Sequence, residues 1–367
     1  FPNDLVIDSL TIDDQEGEHL FSANRIAAKF EWKSLIKRKL SIRNIRIFYP
    51  EINIYKENYE TTPNYQCLID AFATNEKKEL PALDLRINSL LIRHAEFSYN
   101  ILSEAQNPQR FNPHHIDIDD LSTHLSLKTF TSDSISCAVR ELSFREQSGM
   151  QVNDLYLRFV GNHQGATLAN LRLELPQSAL RLDTIWASYS PDNFKESLFV
   201  KGGIQPSHIT PGDFSFLSPE IRGLKDEIHL SGLFYGNLQD FYVNDFFVYS
   251  DDYSLSLKAN ATANLQELSQ EAIDIELQEA SWGPQTWTTL EAQLPDIYGT
   301  IPQELIRIGK VKAKGTAHLS KGSNKIDLQA NTDAGNLKAN VSIDNKGTYA
   351  ANIKGAAINV EKILPTS

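Results

Sequence analysis

Residues 85–100 read LRINSLLIRHAEFSYN. Leu85 and Ile87 alternate as a pleated strand requires, but Leu90 and Ile92 have the opposite parity, and Ala95, Phe97 and Tyr99 shift back. A one-residue slip turns every later side chain to the other face of a sheet. Two polar residues between apolar pairs, Asn88 and Ser89 here, are the signature of a β-bulge, whose extra residue restores the lost face. Leu85, Ile87, Leu90 and Ile92 are therefore expected to point the same way.

The pattern apolar-x-apolar-x-x-apolar-x-apolar recurs. It is present in LVIDSLTI from Leu5, LSIRNIRI from Leu40, MQVNDLYL from Met150, ATLANLRL from Ala166, FYVNDFFV from Phe241 and IRIGKVKA from Ile306. IDIDDLST from Ile116 has all but the last position. Part of this pattern would also suit a helical stripe. Ile, Val, Tyr and Phe at these positions favour pleated surfaces instead, and Asn and Asp tolerate a bent backbone. The spacing of the copies is irregular, so no strict solenoid repeat is implied.

Elsewhere alternation is clean. In NLKANVSIDNKGTYAANIKG, Leu337, Ala339, Val341 and Ile343 alternate with polar residues, and Tyr349, Ala351 and Ile353 return after a turn at 344–347, which predicts a hairpin. Helical signals are short: Trp32–Lys39, Asn64–Phe72 with Asn64 as an N-cap, Leu290–Leu294, and a segment near Gln303. The charged stretch 75–81 (NEKKELP) is the best internal boundary, dividing an N-terminal β-region with two short helices at 1–80 from a continuous antiparallel β-groove at 81–367. The fold class is mainly β: a long curved antiparallel sheet with a few short helices near the N-terminus.

A net charge of −12 with scattered Lys and Arg argues against nucleic acid as a partner. No run of about 18 apolar residues exists, so the chain holds no membrane-spanning helix. Cys67 and Cys137 match no metal or redox spacing and read as two buried free thiols, with a disulfide between them as the alternative. The densest titratable cluster, HHIDIDD at 114–120, places Asp117 and Asp119 on the polar face of a strand rather than around a metal. His163, His208 and His229 each stand alone near polar loops or on alternating strands and read as satisfied or exposed histidines, and no phosphate loop, HExxH or GxSxG occurs. No catalytic residue, metal or cofactor is expected, and the chain does not read as an enzyme.

A curved open sheet would leave an apolar trough, and soluble proteins rarely expose one without a use for it. Candidate groove residues are Leu85, Ile87, Phe97 and Tyr99, and Leu337, Ala339, Val341 and Ile343. Residues 1–72 resemble the start of the AsmA-like superfamily in its TamB (translocation and assembly module) branch. The likeness runs through LVIDSLTIDDQEGEHLFSANRIAAKFEW, SLIKRKLSIRNIRIFYPEINIYKE and the Asn of NYQCLIDAF. Residues 221–250, 301–319 and 331–344 resemble later blocks of that family. The resemblance implies a periplasmic β-taco, the ectodomain of an inner-membrane-anchored protein whose anchor lies outside this stretch. It implies a groove that carries phospholipid acyl chains between inner and outer membranes for outer-membrane homeostasis. The alternative is a scaffold or chaperone that assists outer-membrane proteins by strand pairing, with an outer-membrane barrel as partner through a C-terminal region beyond Ser367.

Overall fold

The structure is a computed structural model that describes residues 4–31, 39–72, 84–131, 133–251, 254–264, 272–294, 301–320, 322–344 and 348–364. The chain forms two compact units, Phe1–Pro176 with Asp213–Pro219, and Gln177–Gly212 with Glu220–Ser367. It is mainly β, as its alternation demands.

The first unit contains β1 (Asp4–Asp13), β2 (His19–Phe30), β3 (Lys39–Lys56), α1 (Gln66–Phe72), β4 (Asp84–Ile101), β5 (His115–Phe130), β6 (Ser134–Glu146), β7 (Gln151–Val152), β8 (Asp154–Asn162) and β9 (Gly165–Glu174). Neighbours pair antiparallel with one exception that corrects the expected all-antiparallel sheet: β3 and β4 are parallel. A parallel pair needs a crossover, and α1 lies in it. Leu40 pairs with Leu85 and Lys56 with Ile101, so the offset of 45 residues never changes. The stretch 75–81 lies outside the described residues; β3 and β4, on either side of it, belong to the same unit.

Both phase changes of 85–100 are bulges. From Ile87 to Leu90, three steps of β4 face the two steps of β5 from Leu127 to Leu125. From Ile92 to Ala95, three steps face two again, from Thr123 to Leu121. Register therefore keeps one apolar face across strands: Ile7, Ile26, Ile47, Ile92 and Thr123 stand side by side, as do Leu5, Ala28, Ile45, Leu90 and Leu125.

Several bends use a left-handed backbone. Ser9, Asp120, Asn170 and Asp245, each the second residue of a quoted central pair, have φ of 59°, 52°, 55° and 49°. Asn and Asp adopt this region at small cost. Asn88 and Ser89 bulge without it. MQVNDLYL leaves the ladder at Asn153, between β7 and β8, where the Asn153 N–H donates to the Glu174 carbonyl at 2.8 Å. IRIGKVKA is not a kinked strand: Ile306 lies in a helix, Gly309 turns the chain at φ 80°, and the strand starts at Val311.

The second unit contains β10 (Ala179–Arg181), β11 (Ile185–Ser188), α2 (Phe194–Ser197), β12 (Phe199–Ile209), β13 (Ile228–Gly236), β14 (Phe241–Ser250), β15 (Ser256–Asn264), β16 (Ala272–Trp282), α3 (Pro284–Gln293), α4 (Gln303–Arg307), β17 (Val311–Ser320), β18 (Ser323–Thr332), β19 (Gly335–Asp344), β20 (Tyr349–Ala356) and α5 (Val360–Ile363). From β12 to β20 each strand pairs antiparallel with the next. The predicted β19–β20 hairpin is present, with Ile343 opposite Tyr349. Helices are not confined to the N-terminal region: α2 to α5 lie beyond residue 190. Of the expected helix at Trp32–Lys39, residues 32–38 lie outside the described residues, and Lys39 opens β3. Asn64 does not cap α1. Its side chain clamps β3, accepting from the Tyr55 N–H at 3.1 Å and donating to the Asn53 carbonyl at 3.0 Å.

Val311, 1% exposed, anchors a cluster with Ala313 and Ala330, against which Trp282, Ile308, Leu328 and Leu337 pack.

Candidate functional site

One face of the second unit is an apolar corrugation. Val341, Ile326, Ala317, Ile275, Ala261 and Val243 form one transverse row on successive strands. Beside it run Ala339, Leu328, Gly315, Leu277, Ala259 and Phe246. β16 and β18 contribute branched side chains, whereas β15 and β17 contribute Ala and Gly, so ridges alternate with furrows. Where the rings are largest the opposing residue is glycine: a Cβ on Gly202 would stand 2.7 Å from the Phe234 ring, and one on Gly232 3.1 Å from the Phe246 ring. The other face is polar, with Asn340, Asp327, Thr316, Glu276 and Asn260 in one row. Ile326, Val341, Ile275 and Val243 are only half-buried. A packed core would hide such side chains almost completely.

Of the predicted groove residues, Ile87, Phe97, Tyr99, Ala339 and Val341 have apolar register partners. Ile87 stands between Ile42 and Leu127, Phe97 between Ile52 and Ile118, and Tyr99 between Ile54 and Ile116, all three half-buried. Leu85 is in register with Leu40. In the second unit Ala339 and Val341 occupy the corrugated rows, and Ile343, 37% exposed, stands opposite Asn324 at their open end. Leu337 differs: half-buried, it packs against the buried Val311 cluster. The aromatic wall of Phe234 and Phe246 was not among the expected residues; it sits in an alternating block whose facing the kink at Asn244–Asp245 obscures.

Polar clusters flank these faces. In the first unit the Tyr55 hydroxyl donates to Asp14 at 2.8 Å and to Glu16 at 2.9 Å. Burial, together with these two carboxylates, pushes the Tyr55 phenol well above its ordinary range. Burial alone would raise the Asp14 carboxyl, but hydrogen bonds from Tyr55, the Glu18 and Glu16 N–H groups and Asn64 outweigh it and hold it below the usual value. In HHIDIDD, Asp117 and Asp119 are exposed, as expected, and burial followed by the Asp119 charge raises the Asp117 carboxyl. His115 is instead buried, bonded to the Asn100 side chain at 2.8 Å and the Glu104 carbonyl at 2.9 Å. Cys67 and Cys137 are free and half-buried, and burial raises the Cys137 thiol. His208 and His229, far apart in sequence, are register partners on β12 and β13. Glu227 and Asp251 stand beside them, next to an open cleft of about 610 Å³ between the 224–228 loop and α3.

No family model, no curated protein and no solved structure matches this chain. No described helix is long and apolar enough to cross a membrane.

Proposed function

We propose that the chain binds phospholipid acyl chains along its apolar sheet faces and serves lipid passage across a periplasm, as its resemblance to the TamB branch of the AsmA-like superfamily suggests. The observation that supports this reading is the half-buried, continuous corrugation from Val341 to Val243, polar on its reverse side. Each methylene withdrawn from water onto such a face contributes ~0.8 kcal/mol, so a single acyl chain gains enough to bind without any polar contact. A headgroup can stay in solvent, which suits a carrier of several lipids. Native mass spectrometry of the purified chain tests this: co-purifying phospholipid released by organic extraction supports it, and a lipid-free chain that takes up none from vesicles refutes it.

A second reading has its own support. β20 pairs with β19, and all eight of its residues are exposed. No other strand among the described residues pairs with it, an arrangement that suits addition of a client strand, the scaffold role. Photocrosslinking from β20 distinguishes the two, since it traps polypeptide in one case and lipid or nothing in the other.

A further inference from the structure

His208, Glu227, His229 and Asp251 are brought together by three consecutive strands. His208 lies on β12, Glu227 immediately precedes β13, His229 is on β13 opposite both His208 and Tyr249, and Asp251 follows β14. His229 Nε2 is 3.5 Å from Glu227 Oε1 and 2.5 Å from Asp251 Oδ1. His208 Nδ1 is 3.9 Å from the same Glu227 oxygen. Ligand atoms about a tetrahedral ion with bonds of ~2.0–2.1 Å stand roughly 3.3 Å apart, and one ligand atom from each of Glu227, His229 and Asp251 lies within 4.8 Å of the other two. Two carboxylates converge on the two imidazoles, a donor set whose negative charge a divalent cation balances. His318–Asp274 and His94–Asp120 each put one carboxylate on a ring at 2.7 and 2.6 Å, the arrangement of a simple hydrogen-bonded pair.

The support around the cluster is also that of a site. The Tyr249 ring stacks on His229 with centroids 4.8 Å apart and planes 16° from parallel. The loop that carries Glu227 is pinned from α3, where Gln293 Oε1 accepts the Lys225 N–H at 2.8 Å. Glu227 and Asp251 both face the 610 Å³ cleft, which gives an ion an entry path. We propose that Glu227, His229 and Asp251, with His208 as a fourth ligand, form a binding site for a divalent transition-metal ion of the zinc class. Imidazole with carboxylate suits such ions, and calcium or magnesium would prefer an all-oxygen shell. The ion would tie the ends of β12, β13 and β14 together beside α3, a staple independent of whether the apolar face carries lipid.

The test is titration of the untagged, chelator-treated chain with zinc chloride by calorimetry at pH 7.5, with calcium chloride in parallel. One saturable zinc site per chain, absent for calcium, is expected. His229→Ala and Asp251→Asn should each weaken it at least tenfold, and His208→Ala by less; His318→Ala should leave it unchanged. Circular dichroism of each variant separates lost binding from lost fold, and Glu227→Gln, on a loop, supplies a second variant. No saturable zinc binding, or binding unaltered in the folded His229→Ala and Glu227→Gln variants, would overturn the proposal.

Discussion

Tyr49 and His94 stack ring on ring, centroids 5.2 Å apart and planes 17° from parallel, on neighbouring parallel strands. Both have a left-handed backbone, φ 51° and 53°. Bulky residues pay on the order of 1 kcal/mol or more for that conformation. They hold it in matched positions, 45 residues apart, so β3 and β4 bend at the same point. The bend continues into β5, where Asp120, also left-handed, receives His94 Nδ1 at 2.6 Å.

His94 is therefore expected to tolerate Asn better than Val. Asn enters the left-handed region readily, whereas a β-branched side chain clashes there. Urea unfolding should place His94→Val ~1–3 kcal/mol below the parent and His94→Asn clearly above His94→Val. Equal losses would show that the stack, and not the backbone, governs this position.

The bulges at Asn44 and Ser89 should be coupled. Asn44 and Ser89 are register partners, and an extra residue bulges each strand there. Deleting Ser89 alone straightens β4 against a bent β3, and deleting Asn44 alone does the reverse. Deleting both keeps all apolar residues on one face and removes both mismatches. A double-mutant cycle should show the paired deletion less destabilised than the sum of the singles by at least ~1 kcal/mol; additive losses would contradict the matched-bulge account.

Val341 and Val311 offer a contrast on the same face. Val311 is 1% exposed, and Val341 is half-buried. Val311→Asp should prevent folding, because it buries an unpaired charge. Val341→Asp should fold within ~1 kcal/mol of the parent and lose bound phospholipid. Retained lipid in folded Val341→Asp would remove this row from the binding face.

Tyr55→Phe should reveal a pH-dependent clamp at the end of β3. The Asp14 carboxyl is lowered in the folded chain, so its contribution is present above its unfolded value near 4 and disappears as pH falls through the folded one. Tyr55 is raised, so its contribution is full below about pH 10 and fades at higher pH. The parent's advantage in thermal midpoint over Tyr55→Phe should thus be widest between about pH 4 and 10 and shrink in acid. A difference independent of pH would assign the effect to packing alone.

What the sequence determined by itself was local. Residue types and parity were enough to show strands, to place a bend at Asp8–Ser9 and bulges at Asn88–Ser89 and Asn244–Asp245, and to put Ile87, Phe97 and Val341 on an apolar face, because pleat and backbone bend are set by neighbours along the chain. Tertiary structure decided whatever depends on which strand lies beside which. The parallel β3–β4 pair, the stack of Tyr49 on His94, the packing of Leu337 against the Val311 cluster, and the meeting of His208 with His229 all join residues more than 20 positions apart. No local pattern carries that information, since register between strands comes from the best mutual burial of whole faces. At Ile306–Val311 the two levels conflicted: alternation suggested a strand, and the packing of Ile308 against Val311, with Gly309 free to turn, selected a helix end instead.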